Sequence, residues 1–398
     1  MAPNAEIIGH FNGHNSDSSR NGAFIVGIGH YYPPYTNALE DIESHLAKFC
    51  DMNTPAMKKL LQVNRNTGIK ERPNIISRDD PLFNRSEPPT IADLDHIFRT
   101  RAVDLVVKAC RKAISDWGGS AAAITHTVAA TATNAGSPGY DLLVNEKLRV
   151  RPEAQRLFVS GLGCAGGLAT IRTAAMIAND ATLRGRPARV LGFSCDVTST
   201  NVRCDLMMLN ENPEETRVSM ALFSDAAGAF VLCNQLALED GEEGAIYSVL
   251  DWEGGVLPGT QNDEQCLVNP LGFRSFMSPN MPTVTSNAVE PTLAKMLDRN
   301  AWQRSEDEKR LGAADLDWVL HPAGLAVLEK VRENLKLEDG QMRASFDVYE
   351  NKGNSSGPTV LIVLDRLRKM GEGRDNVIAC AFGPGVCLEM VSMKRCRN

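Results

Sequence analysis

The sequence predicts an α/β fold built from two similar halves, on three observations. Short apolar runs with strand character alternate with helical segments along the chain, the pattern of a layered α/β domain. In each half a glycine-containing turn opens an apolar helix, at residues 161–170 and again at 353–364. The length, 398 residues, exceeds what one hydrophobic core usually organises.

Ala23-Phe24-Ile25-Val26-Gly27-Ile28-Gly29 reads as the first strand, ended by Pro33-Pro34. Residues 55–72 are basic on balance, with Lys58, Lys59, Arg65, Lys70 and Arg72, a charge pattern that suits a solvated helix face as well as a phosphate site. Residues 98–117 carry Ala102, Leu105, Val106, Ala109, Cys110 and Ala113 at spacings of three and four, which predicts an amphipathic helix stopped by Gly118-Gly119. A buried strand is expected at 126–131, a small-residue loop at 134–139 and a helix to about Leu148. Leu157-Phe158-Val159 then feeds Gly161-Leu162-Gly163-Cys164-Ala165-Gly166-Gly167, and the following helix carries only Arg172 as a charge between Ile171 and Ile177. Strands are expected at 188–193 and, after a turn, up to Leu232; the acidic stretch 239–243 marks a break.

Beyond the break the pattern recurs. A strand is expected at 245–250, a helix at about 289–302, a strand at 317–320, the loop His321-Pro322-Ala323-Gly324 and a helix at 325–335. The polar turn Gly353-Asn354-Ser355-Ser356-Gly357-Pro358 precedes apolar residues 359–364, as the Cys164 turn precedes its own helix. Halves of residues 21–238 and 244–398 with their central helices side by side follow from this repeat, after a disordered tail over residues 1–20.

Composition narrows the function. Hydrophobic content of 43% and charged content of 23% are those of a soluble globular protein, and no run approaches a membrane span. A net charge of −7 gives no global attraction for nucleic acid, so nucleic acid is not an expected partner. The ten cysteines form no CxxC pair and the seven histidines show no ligand spacing, which argues against a metal site. Several cysteines sit in apolar runs, as expected of free thiols in a reducing, cytoplasmic setting.

Three polar residues occupy turns after strands or before buried helices: Cys164, His321 and Asn354. A cysteine at a helix N-terminus meets unpaired N–H groups that favour a thiolate. A histidine beside it can take the thiol proton as an imidazolium–thiolate pair, and an asparagine amide donates a hydrogen bond without titrating. Taken singly, each also has an ordinary reading: a small buried cysteine, a loop histidine, a helix N-cap.

Together the motifs resemble the type III polyketide synthases, the chalcone and stilbene synthase-like branch of the thiolase superfamily, from about Ala23 to Lys394. The resemblance rests on Gly163-Cys164-Ala165-Gly166-Gly167, Ala221-Leu222-Phe223-Ser224-Asp225-Ala226-Ala227, His321-Pro322-Ala323-Gly324, Gly353-Asn354-Ser355-Ser356 and Phe382-Gly383-Pro384-Gly385, in that order. It implies a five-layered αβαβα thiolase fold, a homodimer, coenzyme A thioesters as substrates with no tightly bound cofactor, and a Cys164-His321-Asn354 triad. Cys164 would carry the starter acyl group, and His321 and Asn354 would hold the malonyl-CoA thioester oxygen during decarboxylation. Phe223 would gate the cavity, and Lys59, with Arg65 adjacent, would meet the CoA phosphates.

The departures from the plant-type pattern are informative. Ser137 stands where the plant enzymes have a bulky methionine, and further pocket positions read Asn134, Thr198, Asn201, Ser275 and Cys266. These small or polar residues resemble the fungal members that take long fatty acyl-CoA starters and make alkylresorcinols or alkylpyrones. The His321 loop has alanine where the family has a first glycine. Rival readings are a fatty-acid-initiating ketoacyl synthase, a thiolase with Cys380 as second cysteine, and a non-catalytic acyl-CoA-binding relative.

Overall fold

Nine strands hydrogen-bond into one sheet that wraps two buried helices. The computed structural model describes residues 22–37, 39–214, 217–239, 244–299, 311–371 and 373–396. The expected disordered tail, most of the acidic break at 239–243 and the far end of the helix expected to reach Trp302 lie outside those residues. In chain order the strands are β1 (Ala23–Tyr31), β2 (Tyr35–Asn37), β3 (Arg72–Asn74), β4 (His126–Ala130), β5 (Gln155–Val159), β6 (Arg189–Val197), β7 (Asp225–Asn234), β8 (Tyr247–Val256), β9 (Glu264–Asn269), β10 (Gly272–Met277), β11 (Asp317–Leu320), β12 (Asn376–Gly383) and β13 (Cys387–Arg395). The sheet order is β11-β12-β13-β8-β1-β7-β6-β4-β5, while β2/β3 and β9/β10 form separate two-stranded ribbons.

The predicted repeat is visible in the pairing. Along β4-β6-β7-β1 the neighbours run parallel, antiparallel, antiparallel, and along β11-β12-β13-β8 they do the same. The two runs are joined by only three residue pairs between β1 and β8: Ala23 with Val249, Phe24 with Ser248 and Ile25 with Tyr247. Among the described residues, strand β5, which precedes Cys164, has no counterpart in the second run.

Five helices complete the layers: α1 (Val103–Trp117), α2 (Gly166–Leu183), α3 (Met281–Arg299), α4 (Leu325–Leu335) and α5 (Pro358–Arg368). Helix α1 covers the outer face of the first-half strands, α3 and α4 cover the second-half strands, and α2 and α5 fill the space between. This is the αβαβα stacking, and it explains why α2 is so apolar: Leu168, Ile171, Ala174, Ala175 and Ala178 are all buried against a sheet or against α5. Small side chains let the two central helices touch, and a Cβ on Gly167 would lie 2.0 Å from the Gly357 carbonyl oxygen.

Two helices differ from expectation for the same reason. The predicted helix over 98–117 begins as a π-turn at Phe98–Ala102, where the Thr100 hydroxyl donates to the carbonyls of His96 (2.7 Å) and Ile97 (3.3 Å) in competition with backbone amides. Helix α3 starts at Met281 rather than near Val289, because Thr285 and Ser286 turn their hydroxyls back onto the carbonyls of Met281 and Thr283 instead of opposing the helix. No helix among the described residues is long and apolar enough to cross a membrane.

Candidate active site

Cys164 sits in the single turn Gly163–Ala165 that opens α2. Gly163 needs its glycine, with φ at +49° and Pro384 Cδ 2.4 Å from where a Cβ would stand. The Phe382-Gly383-Pro384-Gly385 turn thereby walls the cysteine from behind, and a Cβ on Gly383 would meet the Leu162 carbonyl oxygen at 2.1 Å. The sulfur is buried, and its hydrogen-bond partner is Ser356 Oγ at 3.4 Å. Ser356 adopts left-handed backbone at φ +60°, a strained setting for serine that aims it at the sulfur.

Asn354 is buried two residues earlier. Its Oδ1 accepts the Ser356 amide (2.7 Å) and, at 3.5 Å, the Thr359 hydroxyl; no hydrogen bond among the described residues engages its Nδ2. Its backbone pairs with the segment carrying Phe223: Asn354 N donates to Leu222 O at 3.0 Å, and Ser224 N donates to Asn354 O at 2.8 Å. The Ser224 and Ser355 hydroxyls bond at 2.8 Å alongside. His321 follows β11, its amide donating to the Cys380 carbonyl at 2.8 Å, and neither ring nitrogen has a partner. Ala323 keeps negative φ, so the alanine in this loop is accommodated without strain.

Electrostatics act on Cys164 and His321 in the same sense. Burial, then the Glu264 carboxyl, raise the Cys164 thiol well above its ordinary pKa, and the Ser356 hydrogen bond only partly offsets them. Burial likewise lowers His321 to about 3. Burial thus works against the imidazolium–thiolate pair and opposes the helix N-terminus, which is worth at most about 2 kcal/mol.

A cavity of about 390 Å³ reaches the sulfur, lined by Cys164, Phe223, Thr198, Asn201, Ser275 and Cys266, with Lys59 also on its wall. Asn201 does more than line it: its Nδ2 donates to Phe273 O and its Oδ1 accepts Phe273 N (2.5 and 2.6 Å), stapling the β9/β10 ribbon in place. Four expected or associated positions fall elsewhere. His321 and Asn354 lie behind the cavity surface; Asn134 is buried and bonded to Asp95 and Gly136; Ser137 is exposed. Arg65 is also outside, paired with Glu43 at 2.6 Å on the surface.

Sequence reasoning missed several residues. Asp196, the polar residue of an apolar strand, is fully buried and accepts from Ala132 N (2.6 Å), the Thr131 hydroxyl (3.0 Å) and Gly357 N (2.9 Å), which ties the Asn354 turn to the first half. Arg72 is buried, with two guanidinium nitrogens on the Ala221 carbonyl just before Phe223. Asp205 and Glu264 are buried carboxyls on the cavity wall, each pushed up to about 7 by desolvation. A charged residue among apolar neighbours was the available signal for Asp196; the others are visible only once distant segments meet.

Comparison with known proteins places this geometry. The N-terminal domain of chalcone and stilbene synthases matches residues 11–235 and the C-terminal domain of the same enzymes matches residues 253–396. The chain is 41% identical over 385 residues to the type III polyketide synthase pspB of Penicillium soppii, covering 94% of this chain and 96% of that one. It is 30% identical over 383 residues to the acylalkylpyrone synthase csyB of Aspergillus oryzae, covering 95% and 96%. The crystal structure of CsyB with CoA-SH superposes with a TM-score of 0.90 at 29% identity, over 94% of this chain and 100% of that one. A type III pentaketide synthase from Neurospora crassa gives 0.89 at 38% identity over the same shares. The chain therefore belongs to the chalcone and stilbene synthase family, the type III polyketide synthases, acyltransferases that condense coenzyme A thioesters with loss of carbon dioxide.

Proposed function

We propose that this enzyme loads a medium- or long-chain fatty acyl group from its CoA thioester onto Cys164, extends it with malonyl-CoA and closes the product to an alkylpyrone or alkylresorcinol. The observation that carries the reading is the cavity of about 390 Å³ that Lys59, Phe223 and Cys164 line together with the β9/β10 ribbon, with small residues at Thr198, Ser275 and Cys266. The relationship to an acylalkylpyrone synthase supports the product class.

In this reading neutral His321 takes the thiol proton as Cys164 attacks the starter thioester, and the departing CoA sulfur receives it. When malonyl-CoA enters, the His321 N–H and the free Asn354 Nδ2 hold the thioester oxygen, so negative charge settles there as carbon dioxide leaves. The enolate carbon then attacks the acyl carbonyl on Cys164, the Cys164 sulfur leaves as thiolate, and the extended chain, now a CoA thioester, is transferred back to Cys164 for further extension and ring closure. Phe223 is held rigidly by the Asn354 backbone pairing and presents an apolar face to the malonyl carboxylate. Lys59 meets the CoA phosphates.

The same reading makes the enzyme a homodimer, with Ser137 reaching toward the partner's cavity. The exposed edge strand β5 supports this, as do Leu157 on that strand and Met176 on α2, which are 48% and 49% exposed. Ten free cysteines support a cytoplasmic setting.

The test is incubation with malonyl-CoA and acyl-CoA starters from C2 to C18, with products identified by mass. Ring-closed products that favour long starters up to a sharp limit are expected. Equal use of all lengths, or extension of C2 alone, overturns the fatty acyl reading.

A further inference from the structure

The triad accounts for loading and condensation but leaves two buried carboxyls on the cavity wall without a task, of which Asp205 already accepts the Ser219 hydroxyl at 3.2 Å. Glu264, the first residue of β9, lines the cavity together with Cys164. It is 9% exposed, and among the described residues no hydrogen bond engages its carboxyl. Its backbone is fixed: the carbonyl accepts the Gly385 amide at 3.0 Å, and the residue pairs with Met277 on β10. Gly385 belongs to the turn whose Pro384 packs against Gly163, so the same turn positions the carboxyl and the nucleophile. An unpaired buried carboxyl costs several kcal/mol unless something in the cavity uses it.

We propose that Glu264 is the catalytic acid–base residue of ring closure: it takes the enol proton of the folded polyketide chain held on Cys164 and returns that proton to the sulfur as the ring departs. This rests on the reading that the extended chain is a Cys164 thioester released by ring closure. In the step, an enol O–H bond breaks and its proton passes to a Glu264 oxygen. The enol oxygen bonds to the thioester carbonyl carbon, the C–S bond breaks toward sulfur, and Glu264 protonates the thiolate. One O–H and one C–S bond are exchanged for one C–O and one S–H bond, with no oxidant, reductant or co-reactant.

The surroundings leave this role to Glu264. The titratable groups that feel its charge are thiols: Cys164 at the start of α2, Cys266 on its own strand and Cys387 on β13. Burial is the first cause of raising each of them, so none yields a proton near neutrality, and His321 lies behind the cavity surface that Glu264 lines. Met277 and the Pro384-Gly385 turn contribute no titratable side chain. Glu264, pushed up to about 7 by burial, can both accept and release a proton at neutral pH.

The experiment uses the full chain with a long acyl-CoA and malonyl-CoA. Glu264→Gln is expected to slow ring-closed product by about 10²-fold or more, while extended acyl chains accumulate on Cys164 in intact-mass spectra. The wild-type rate should rise with pH through about 7, where the carboxylate forms, and Glu264→Gln should lose that limb. Glu264→Asp should recover part of the rate and the limb. Wild-type product rate and pH profile in Glu264→Gln overturn the proposal, as does equal loss of starter acylation in both variants, which would mark a structural role. A wild-type enzyme that releases only open-chain acids fails the proposed function itself and this step with it; ring closure by wild type that survives in Glu264→Gln fails this step alone.

Discussion

The two turns that open the central helices occupy matching places in a repeated pairing pattern, yet they are finished differently. Before α2 a strand, β5, delivers the chain, and Cys164 emerges with its sulfur at the cavity. Before α5 there is no such strand; Asn354 is instead held by a one-residue bridge to Phe223, and its Oδ1 is spent on Ser356 N. The first turn exposes a reactive atom. The second buries the Asn354 amide and holds Phe223. A duplicated frame thus supplies two equivalent helix starts, and the chemistry comes from which polar group each turn leaves unpaired.

If that division is right, removing each group should fail in a different place. Cys164→Ala should abolish acyl-enzyme formation and polyketide synthesis, a loss on the order of 10⁶-fold, the scale for deleting a covalent nucleophile. Single-turnover acylation with radiolabelled starter reads it, and polyketide made by the variant would break the comparison. Asn354→Ala should leave acylation of Cys164 in place and slow malonyl-CoA decarboxylation by about 2.7–4 kcal/mol, the cost of one oxyanion-hole donor. Equal damage to both steps would mean that Asn354 only holds the loop.

The contact between the two turns can be tested through its glycines. A Cβ on Gly167 meets the Gly357 carbonyl oxygen at 2.0 Å, whereas a Cβ on Gly357 meets the Ser194 hydroxyl at 2.7 Å. Backbone cannot yield as a hydroxyl can. Gly167→Ala should therefore destabilise by about 1–3 kcal/mol or more, and Gly357→Ala by less, read as shifts in the urea midpoint. The reverse order would show that the turns, rather than the helices, carry the packing.

Much of this was legible in the sequence because it is local chemistry. The glycines around Cys164, the His321 loop and the polar turn at Asn354 announce themselves by composition, and so does the repeat that pairs them. What was not legible depends on which segments meet. Asn201 reads as a pocket lining but also staples Phe273; Arg65 reads as a phosphate ligand but faces Glu43. Nothing in the sequence singles out Glu264, and only the β9/β10 ribbon meeting the Pro384-Gly385 turn brings it to the cavity that Cys164 lines. The burial that opposes an imidazolium–thiolate pair was hidden for a related reason, since depth of burial is a property of the assembled layers.

Asp196 is the tether across the comparison, because it holds both the Thr131–Ala132 loop of the first half and the Gly357 amide of the second turn. Burial raises it to about 6 despite these bonds, and Asp225 likewise; Asp205 and Glu264 rise to about 7. An unfolded aspartate loses its proton near 4, so between about 4 and 6 the native state binds more protons than the unfolded one, and stability falls as pH rises. Each such carboxyl contributes about 1.4 kcal/mol per pH unit at most, and the decline ends above about 7. Asp365, held far below its ordinary value by the His30 and Lys369 hydrogen bonds despite burial, acts oppositely and only below about 4. Asp196→Asn should lower stability at every pH, because an amide nitrogen must face the amide of either Ala132 or Gly357. That offset is uninformative, whereas the slope is not: with one of four raised carboxyls removed, the fall in urea midpoint between pH 4.5 and 6 should be about a quarter shallower. An unchanged slope would mean that Asp196 is already ionised in the native state, so that the Thr131–Ala132 loop and the Asn354 turn are tied by a charged acceptor rather than a neutral one.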